Sequence, residues 1–223
     1  TAWNAREVRF VSFNIHHGTV GRSGPVDLDQ LGEVCAGFEA DVIALQEVDQ
    51  ATLRVRGRDT MEVVAAACGM DAAFGSSKRM LGGHYGNGLL VRGEILSTTL
   101  TRLPKVPRSR FWQEQRTLFA ARAQVGGQPL SVGVTHLAVK AWTNQPQLEA
   151  ALAQVADWPE PIVFLGDLNR ESGEVRGHAE AVDVAMVEHG PTFPVREPRL
   201  TIDHVLMSRG LTLRAVEVRA TPM

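Results

Sequence analysis

Hydrophobic and polar positions follow two rhythms along this chain. Short apolar runs recur, and several end on a polar side chain: Phe10-Val11-Ser12-Phe13-Asn14, Asp41-Val42-Ile43-Ala44-Leu45-Gln46-Glu47, Leu130 through Thr135 followed by His136, and Pro161-Ile162-Val163-Phe164-Leu165-Gly166-Asp167-Leu168-Asn169. Uninterrupted apolar runs of this length predict strands buried on both faces. The pattern places strands at Val8–Asn14, Asp41–Gln46, Gly88–Arg92, Thr117–Val125, Leu130–Thr135, Pro161–Leu165, Thr201–Met207 and Leu211–Arg219, with a hairpin turn at Gly126-Gly127. The second rhythm is helical. Leu28, Leu31, Val34, Cys35 and Phe38 repeat at helical spacing behind Asp27 or Asp29 as a cap. Thr60–Cys68, closed by Gly69, and Gln145–Val155 read the same way. Hairpins mixed with crossover helices predict an α+β fold of two packed sheets with helices outside.

Composition narrows the classes. At 223 residues and 44% hydrophobic content the chain suits one domain with a substantial core, and no break in composition marks a boundary. A net charge of -2 excludes a global basic footprint for nucleic acid. The charge is uneven, however. Arg102, Lys105, Arg108, Arg110, Arg116 and Arg122 crowd one stretch against Glu114 alone, with Phe111 and Trp112 among them. That stretch is either a solvated loop or an anion-attracting wall beside a site. Cys35 and Cys68 read as buried free thiols. No apolar run reaches the ~18–20 residues of a membrane span. A soluble monomer is expected, either cytoplasmic or, as the chain opens on Thr1, exported after removal of a leader.

The strand ends carry the chemistry. An amide (Asn14), an acid (Glu47), an imidazole (His136), an acid–amide pair (Asp167 and Asn169) and another acid (Asp203) each follow or interrupt an apolar strand. Strands of one sheet can bring their ends together, so this set predicts metal-assisted attack of water on a phosphoester. Mg²⁺, with Mn²⁺ as a substitute, takes one or two carboxylates, an amide oxygen and water, leaving room for phosphate oxygens. Glu47 would supply charge and Asn14 an oxygen ligand or its orientation. Asp167 would deprotonate the water, and Asn169 and His136 would donate to phosphate oxygens. Gly166 is expected to let the backbone turn or approach a ligand.

Asn14, Leu45-Gln46-Glu47, Tyr85-Gly86-Asn87-Gly88-Leu89-Leu90, Thr135-His136-Leu137, Gly166-Asp167-Leu168-Asn169 and Ile202-Asp203-His204 stand in the order found in the endonuclease/exonuclease/phosphatase superfamily, which the chain resembles over nearly its whole length. The resemblance implies a four-layered αββα sandwich with its site at one end of two mixed sheets. It implies Mg²⁺ on Glu47 and Asn14, with His136, Asp167, Asn169 and Asp203 catalytic and Tyr85 and Arg116 on the substrate phosphate. Two positions depart from the pattern. His16 stands where some repair nucleases of the family carry an acid, and it and His17 either line the pocket or are loop residues. The family also has a Ser-Asp-His element about one strand beyond Asp203, and the expectation is that this chain stops at Met223 before that element and before the final family strand. Asp203 and His204 are adjacent in a strand, so only one of them can face the site.

The expected activity is therefore Mg²⁺-dependent hydrolysis of a phosphodiester or phosphomonoester in a nucleic acid, nucleotide, phosphoinositide or phospholipid headgroup. The competing expectation is a non-catalytic protein that keeps the fold and binds a phosphate-bearing ligand or a partner.

Overall fold

Alternate side chains of strand β2 (Val42–Gln50) enter two different cores. Ile43 and Leu45 pack with Leu31, Cys35, Met61 and Val64 of helices α1 (Leu28–Ala36) and α2 (Thr60–Cys68). Val42 and Ala44 face the other way, toward Phe119, Ala121, Val132, Val134, Val163 and Leu165 of a second sheet. A third cluster, with Leu148, Leu152 and Val155 of α3 (Ala141–Ala156) and Val175 and Ala179 of α4 (Ser172–Ala181), covers that sheet's far side. Strands buried on both faces thus give four layers, αββα, and the expected architecture stands.

This computed structural model describes residues 7–21, 23–107 and 112–223; Arg108, Arg110 and Phe111 of the basic stretch lie outside them. The first sheet has the order β1-β2-β4-β3, from β1 (Phe10–Asn14), β3 (Asp71–Met80) and β4 (Gly83–Val91). β1 runs parallel to β2, and the other pairs are antiparallel. The second sheet has the order β5-β6-β7-β8-β10-β9: β5 (Gly93–Arg102), β6 (Thr117–Val125), β7 (Gln128–His136), β8 (Ile162–Asp167), β9 (Val184–Met186) and β10 (Asp203–Ser208). Only its β7–β8 pair is parallel.

Local chemistry explains the element ends. Asp27 accepts from the backbone N–H groups of Asp29 and Gln30, and Asp59 from those of Met61 and Glu62, satisfying donors that a first helical turn leaves open. Gly69 closes α2 in the left-handed conformation, at φ 60° and ψ 46°. Helix α3 starts earlier than its apolar spacing suggests and keeps Pro146 inside. Its first turns are held by polar bonds that hydrophobic periodicity does not report: Asn144 donates to the carbonyls of Ala138 and Leu168.

The Leu211–Arg219 strand is corrected. That segment pairs with no strand among the described residues. Its apolar positions change phase between Leu213 and Val216, so no single face could be buried, and Leu213, Val216 and Val218 are exposed. The chain there is fixed instead by Pro222, whose carbonyl accepts from Gly21 N–H, and by Met223, which is buried against the α1–α2 core. Cys35 and Cys68 are free and buried; burial pushes the Cys35 thiol up to about 12, which leaves it unreactive. No helix of the described residues is long and apolar enough to cross a membrane.

Candidate active site

On the second sheet, strand register alone aligns the chemistry. His136 is the pairing partner of Asp167 across β7–β8, and Asp203 is the partner of Asp167 across β8–β10. An imidazole and two carboxylates therefore stand abreast on three adjacent strands. His136 Nε2 lies 3.6 Å from Asp167 Oδ2, and His136 Nδ1 lies 3.9 Å from Glu47 Oε1 with no hydrogen-bond partner of its own. His204, adjacent to Asp203, points the other way and meets the Arg170 carbonyl at 2.7 Å. Alternation therefore leaves Asp203, rather than His204, on the side of Asp167.

Burial sets the protonation of this row. The Asp167 carboxyl is pushed up to about 7, first by desolvation and then by the Asp203 charge, against hydrogen bonds from Asn14 and Asn169 that favour the anion. Desolvation also raises Asp203, against a hydrogen bond from Thr192. His136 is held well below its ordinary value by burial, then by Arg116 and His17, so its ring is neutral at neutral pH.

Glycine 166 departs from expectation. It neither turns nor faces a ligand: it lies within β8, and a Cβ there would sit 2.2 Å from the Thr135 carbonyl oxygen. The missing side chain lets β7 and β8 approach, which keeps His136 beside Asp167. The turn comes later, at Asn169, in the left-handed conformation with φ 50°. Asn169 N–H donates to Asp167 Oδ1 at 3.0 Å, and its amide nitrogen donates to the Leu137 carbonyl at 3.0 Å, tying the two strand ends together. One N–H of that amide is left for a ligand.

The first sheet contributes from irregular backbone. Glu47 sits where the β2–β4 register shifts between Leu45 and Val48, with φ 61°, so a bulge aims its carboxylate into the cleft. Asn14, at the end of β1, donates through Nδ2 to Glu47 Oε1 at 3.1 Å and to Asp167 Oδ2 at 3.2 Å, while its Oδ1 accepts from His16 N–H at 3.1 Å. Its nitrogen, not its oxygen, faces the acids, so in this geometry Asn14 orients two carboxylates across the cleft.

Periodicity did not single out His17 and Asp49. His17, at φ 66°, places Nε2 at 3.1 Å from Glu47 Oε2 and Nδ1 at 3.4 Å from Asp49 Oδ2. Asp49 is fully buried and also has Arg54 Nε at 3.5 Å. Both neighbours lie within ion-pair distance, yet neither Asp49 oxygen has a well-formed hydrogen bond. A period-two count from Glu47 reaches Asp49, but the bulge cannot be read from that count.

Tyr85 and Arg116 form a third side. Burial, then the Glu47 charge, raises the Tyr85 phenol, and the Arg116 charge opposes that rise. Tyr85 also packs beneath Lys78, whose Nζ is 4.7 Å from the ring centroid, and against the His17 ring at 5.7 Å. Arg116 is largely buried, lies 3.8 Å from Glu114 and has an unpartnered Nε. Trp112 stands exposed beyond Lys78, 5.6 Å from it.

The donor set suits a hard cation. No cluster of three or more His, Cys, Asp or Glu side chains with metal-ligand geometry occurs among the described residues, and a Mg²⁺-type site needs only one or two carboxylates with water. Glu47, Asp49, Asp167 and Asp203 gather at one end of the sandwich, where burial raises the Asp167 and Asp203 carboxyls and the Asp203 and Glu47 charges raise Asp167 further. The residues present fit a divalent cation.

A family model described as Endonuclease/Exonuclease/phosphatase family matches residues 11–223. Similar solved structures include an endonuclease/exonuclease/phosphatase from Beutenbergia cavernae DSM 12333, at TM-score 0.74 and 20% identity, with 91% of this chain and 64% of that one covered. The chain thus spans just under two thirds of that protein. Sphingomyelinase C from Streptomyces griseocarneus follows at TM-score 0.68 and 17% identity, covering 95% of this chain and 87% of that one. A D. rerio TDP2 complexed with single strand DNA product aligns at TM-score 0.66 and 18% identity, covering 92% and 86%. No curated protein sequence matches significantly.

Proposed function

The chain belongs to the endonuclease/exonuclease/phosphatase family, and from that premise we propose that it hydrolyses phosphate esters with the help of a divalent cation, Mg²⁺ or Mn²⁺. One observation carries this reading: Asn14 bridges Glu47 on one sheet to Asp167 on the other within hydrogen-bond distance, beside a neutral buried His136.

Glu47 would hold the cation, with His17 and Asn14 fixing its carboxylate. When bound, the cation neutralises charge on a phosphate oxygen. The remaining work falls to the chain's own residues. Asp167, with its carboxyl near 7, takes the proton of the attacking water. His136 is neutral, so it can donate an N–H to a phosphate oxygen as charge develops there. Asn169 holds Asp167 and the Leu137 carbonyl in place and offers its free N–H to the same phosphate. Asp203 keeps the Asp167 carboxyl high. Arg116 and Tyr85 bracket the phosphate from the third side.

The test is turnover of bis(p-nitrophenyl) phosphate and p-nitrophenyl phosphate, with and without Mg²⁺ or Mn²⁺ and with EDTA. Metal-dependent release of nitrophenol from at least one is expected. Saturable cation binding by calorimetry without turnover of any phosphate ester would favour the non-catalytic binding protein instead.

A further inference from the structure

Helix α3 carries two fully buried amides in its first turns, Asn144 and Gln147. They stand three residues apart and so share one helix face, which continues as the core positions Leu148, Ala151 and Leu152. Amides in line with a core stripe are costly unless their polar atoms are used. All of them are. Asn144 donates to the Ala138 carbonyl at 2.6 Å and the Leu168 carbonyl at 2.7 Å, and its Oδ1 accepts from Arg170 Nε at 2.9 Å. Gln147 Oε1 accepts from Ala138 N–H at 3.0 Å, and its Nε2 donates to the Pro104 carbonyl at 3.3 Å.

The partners are two peptide units at the ends of β7 and β8. A peptide unit is planar, so a grip on its oxygen also fixes the direction of its N–H. The Leu168–Asn169 unit has its oxygen on Asn144 and its N–H on Asp167 Oδ1 at 3.0 Å. The Leu137–Ala138 unit has its N–H on Gln147 and its oxygen on the Asn169 amide at 3.0 Å. Helix α3 thus holds the backs of two planes whose fronts orient Asp167 and Asn169. The hold matters because Asn169 lies at φ 50°, a region that a residue with a side chain keeps only where its surroundings fix it. Arg170 braces the far side, with Nη2 on the Ala141 carbonyl at 3.1 Å and its own carbonyl on the His204 ring at 2.7 Å.

We propose that Asn144 and Gln147 are positioning residues, which set the Asp167 carboxylate and the free Asn169 N–H through these two peptide planes; that the step so served is hydrolysis rests on the phosphoesterase reading. With every polar atom already bonded, Asn144 has none left for substrate or cation. Its effect must therefore pass through Asn169 and Asp167. A purely structural amide would act on folding alone.

The experiment pairs two readouts. Turnover of bis(p-nitrophenyl) phosphate at saturating Mn²⁺ is measured for Asn144→Ala, Asn169→Ala and the double variant, and exchange of the Asn169 backbone amide is followed by NMR in EDTA. Asn144→Ala should lose about 10²-fold in kcat, the scale of a displaced catalytic group, with cation affinity by calorimetry unchanged. The double variant should lose little more than the larger single, because residues that act through one another are not additive. The Asn169 amide should exchange at least ~10-fold faster, while the Val134 and Leu165 amides keep wild-type rates. Val155→Ala, a cavity near the other end of α3, should lower Tm yet leave kcat and Asn169 exchange as in wild type. If Asn144→Ala does not fold, Gln147→Met, which removes the acceptor of Ala138 N–H at similar volume, goes through the same cycle with the same expectations. Single losses that multiply in the double variant overturn the proposal, as does a kcat no lower than that of Val155→Ala or an unchanged Asn169 exchange rate. A wild type that turns over no phosphate ester, with faster Asn169 exchange in Asn144→Ala, overturns the phosphoesterase reading and leaves the grip on Asn169 standing.

Discussion

On the second sheet, His136, Asp167 and Asp203 stand abreast because β7, β8 and β10 are in register, with Gly166 allowing the close approach. On the first sheet, Glu47 and His17 reach the same cleft from left-handed backbone, at φ 61° and 66°, and are held by hydrogen bonds and ion pairs to Asn14 and Asp49. One wall is positioned by an extended ladder that cannot slip without exposing its hydrophobic face. The other is positioned by a bulge and a strained loop, whose geometry must be fixed by side chains. Substitutions on the first wall should therefore damage the chemical step while leaving metal binding nearly intact, and those on the second should do the reverse.

The largest effect falls on the ladder. Asp167→Asn keeps the shape and removes the base, so kcat on a soluble phosphodiester should drop by about 10²–10⁴-fold at saturating cation. Cation affinity by calorimetry should weaken by much less than kcat falls, since only the attraction between the cation and the Asp167 charge is lost. A loss of only a few-fold would mean that another group takes the proton, and the assignment of the water step to this row would fail.

The irregular wall gives a smaller and different response. His17→Ala removes the imidazole between Glu47 and Asp49, so the Glu47 carboxylate keeps its Asn14 hydrogen bond but loses the contact on its other oxygen. Outer partners of metal-binding side chains typically matter by about 10–100-fold in affinity. Mn²⁺ binding measured by calorimetry should weaken by about that factor, with kcat at saturating Mn²⁺ nearly restored. His17→Gln, which keeps a donor, should recover part of the affinity. A kcat loss that excess Mn²⁺ does not repair would place His17 in the chemical step and break the division between the walls.

The same contrast explains what the sequence made legible. His136 and Asp167 terminate apolar runs, and period-two alternation allowed only one of Asp203 and His204 to face them without saying which; His204 turns to the Arg170 carbonyl. Asn14 and Glu47 were visible as residues, but the bulge behind Glu47 and the direction of the Asn14 amide were not, because both depend on contacts between distant segments. Asp49 lay beyond the strand expected at Asp41–Gln46, and nothing in the pattern marked it. Strand β5 escaped notice because most of its side chains are solvated, leaving no alternation to read. Helix α4 buries only Val175 and Ala179, and its start is marked by a Glu171–Glu174 capping box rather than by an apolar stripe. Leu211–Arg219 misled in the opposite sense: it is rich in strand-forming residues whose alternation breaks midway.

The smallest effect concerns pH, and it isolates the ladder wall without any catalysis. The Asp167 carboxyl is near 7 in the folded chain and near 3.8 when unfolded, so between these values the folded state holds a proton that the unfolded state has released. Stability from this group therefore falls as pH rises from about 4 to about 7. His136 and His204, both lowered by burial, contribute the opposite slope, because their stabilising effect is lost as pH falls through 6.5. A bare stability profile would mix the two. The useful quantity is the Tm of wild type minus that of Asp167→Asn in EDTA, which should decline across that window as the acid ionises in the unfolded wild-type chain but not in the folded one. Saturating Mg²⁺ should flatten the decline, since a cation beside Glu47 favours the ionised Asp167 in folded protein. A difference that stays level in EDTA would show that Asp167 titrates normally, and the ladder would then supply position without the perturbed acidity suited to a base near neutral pH.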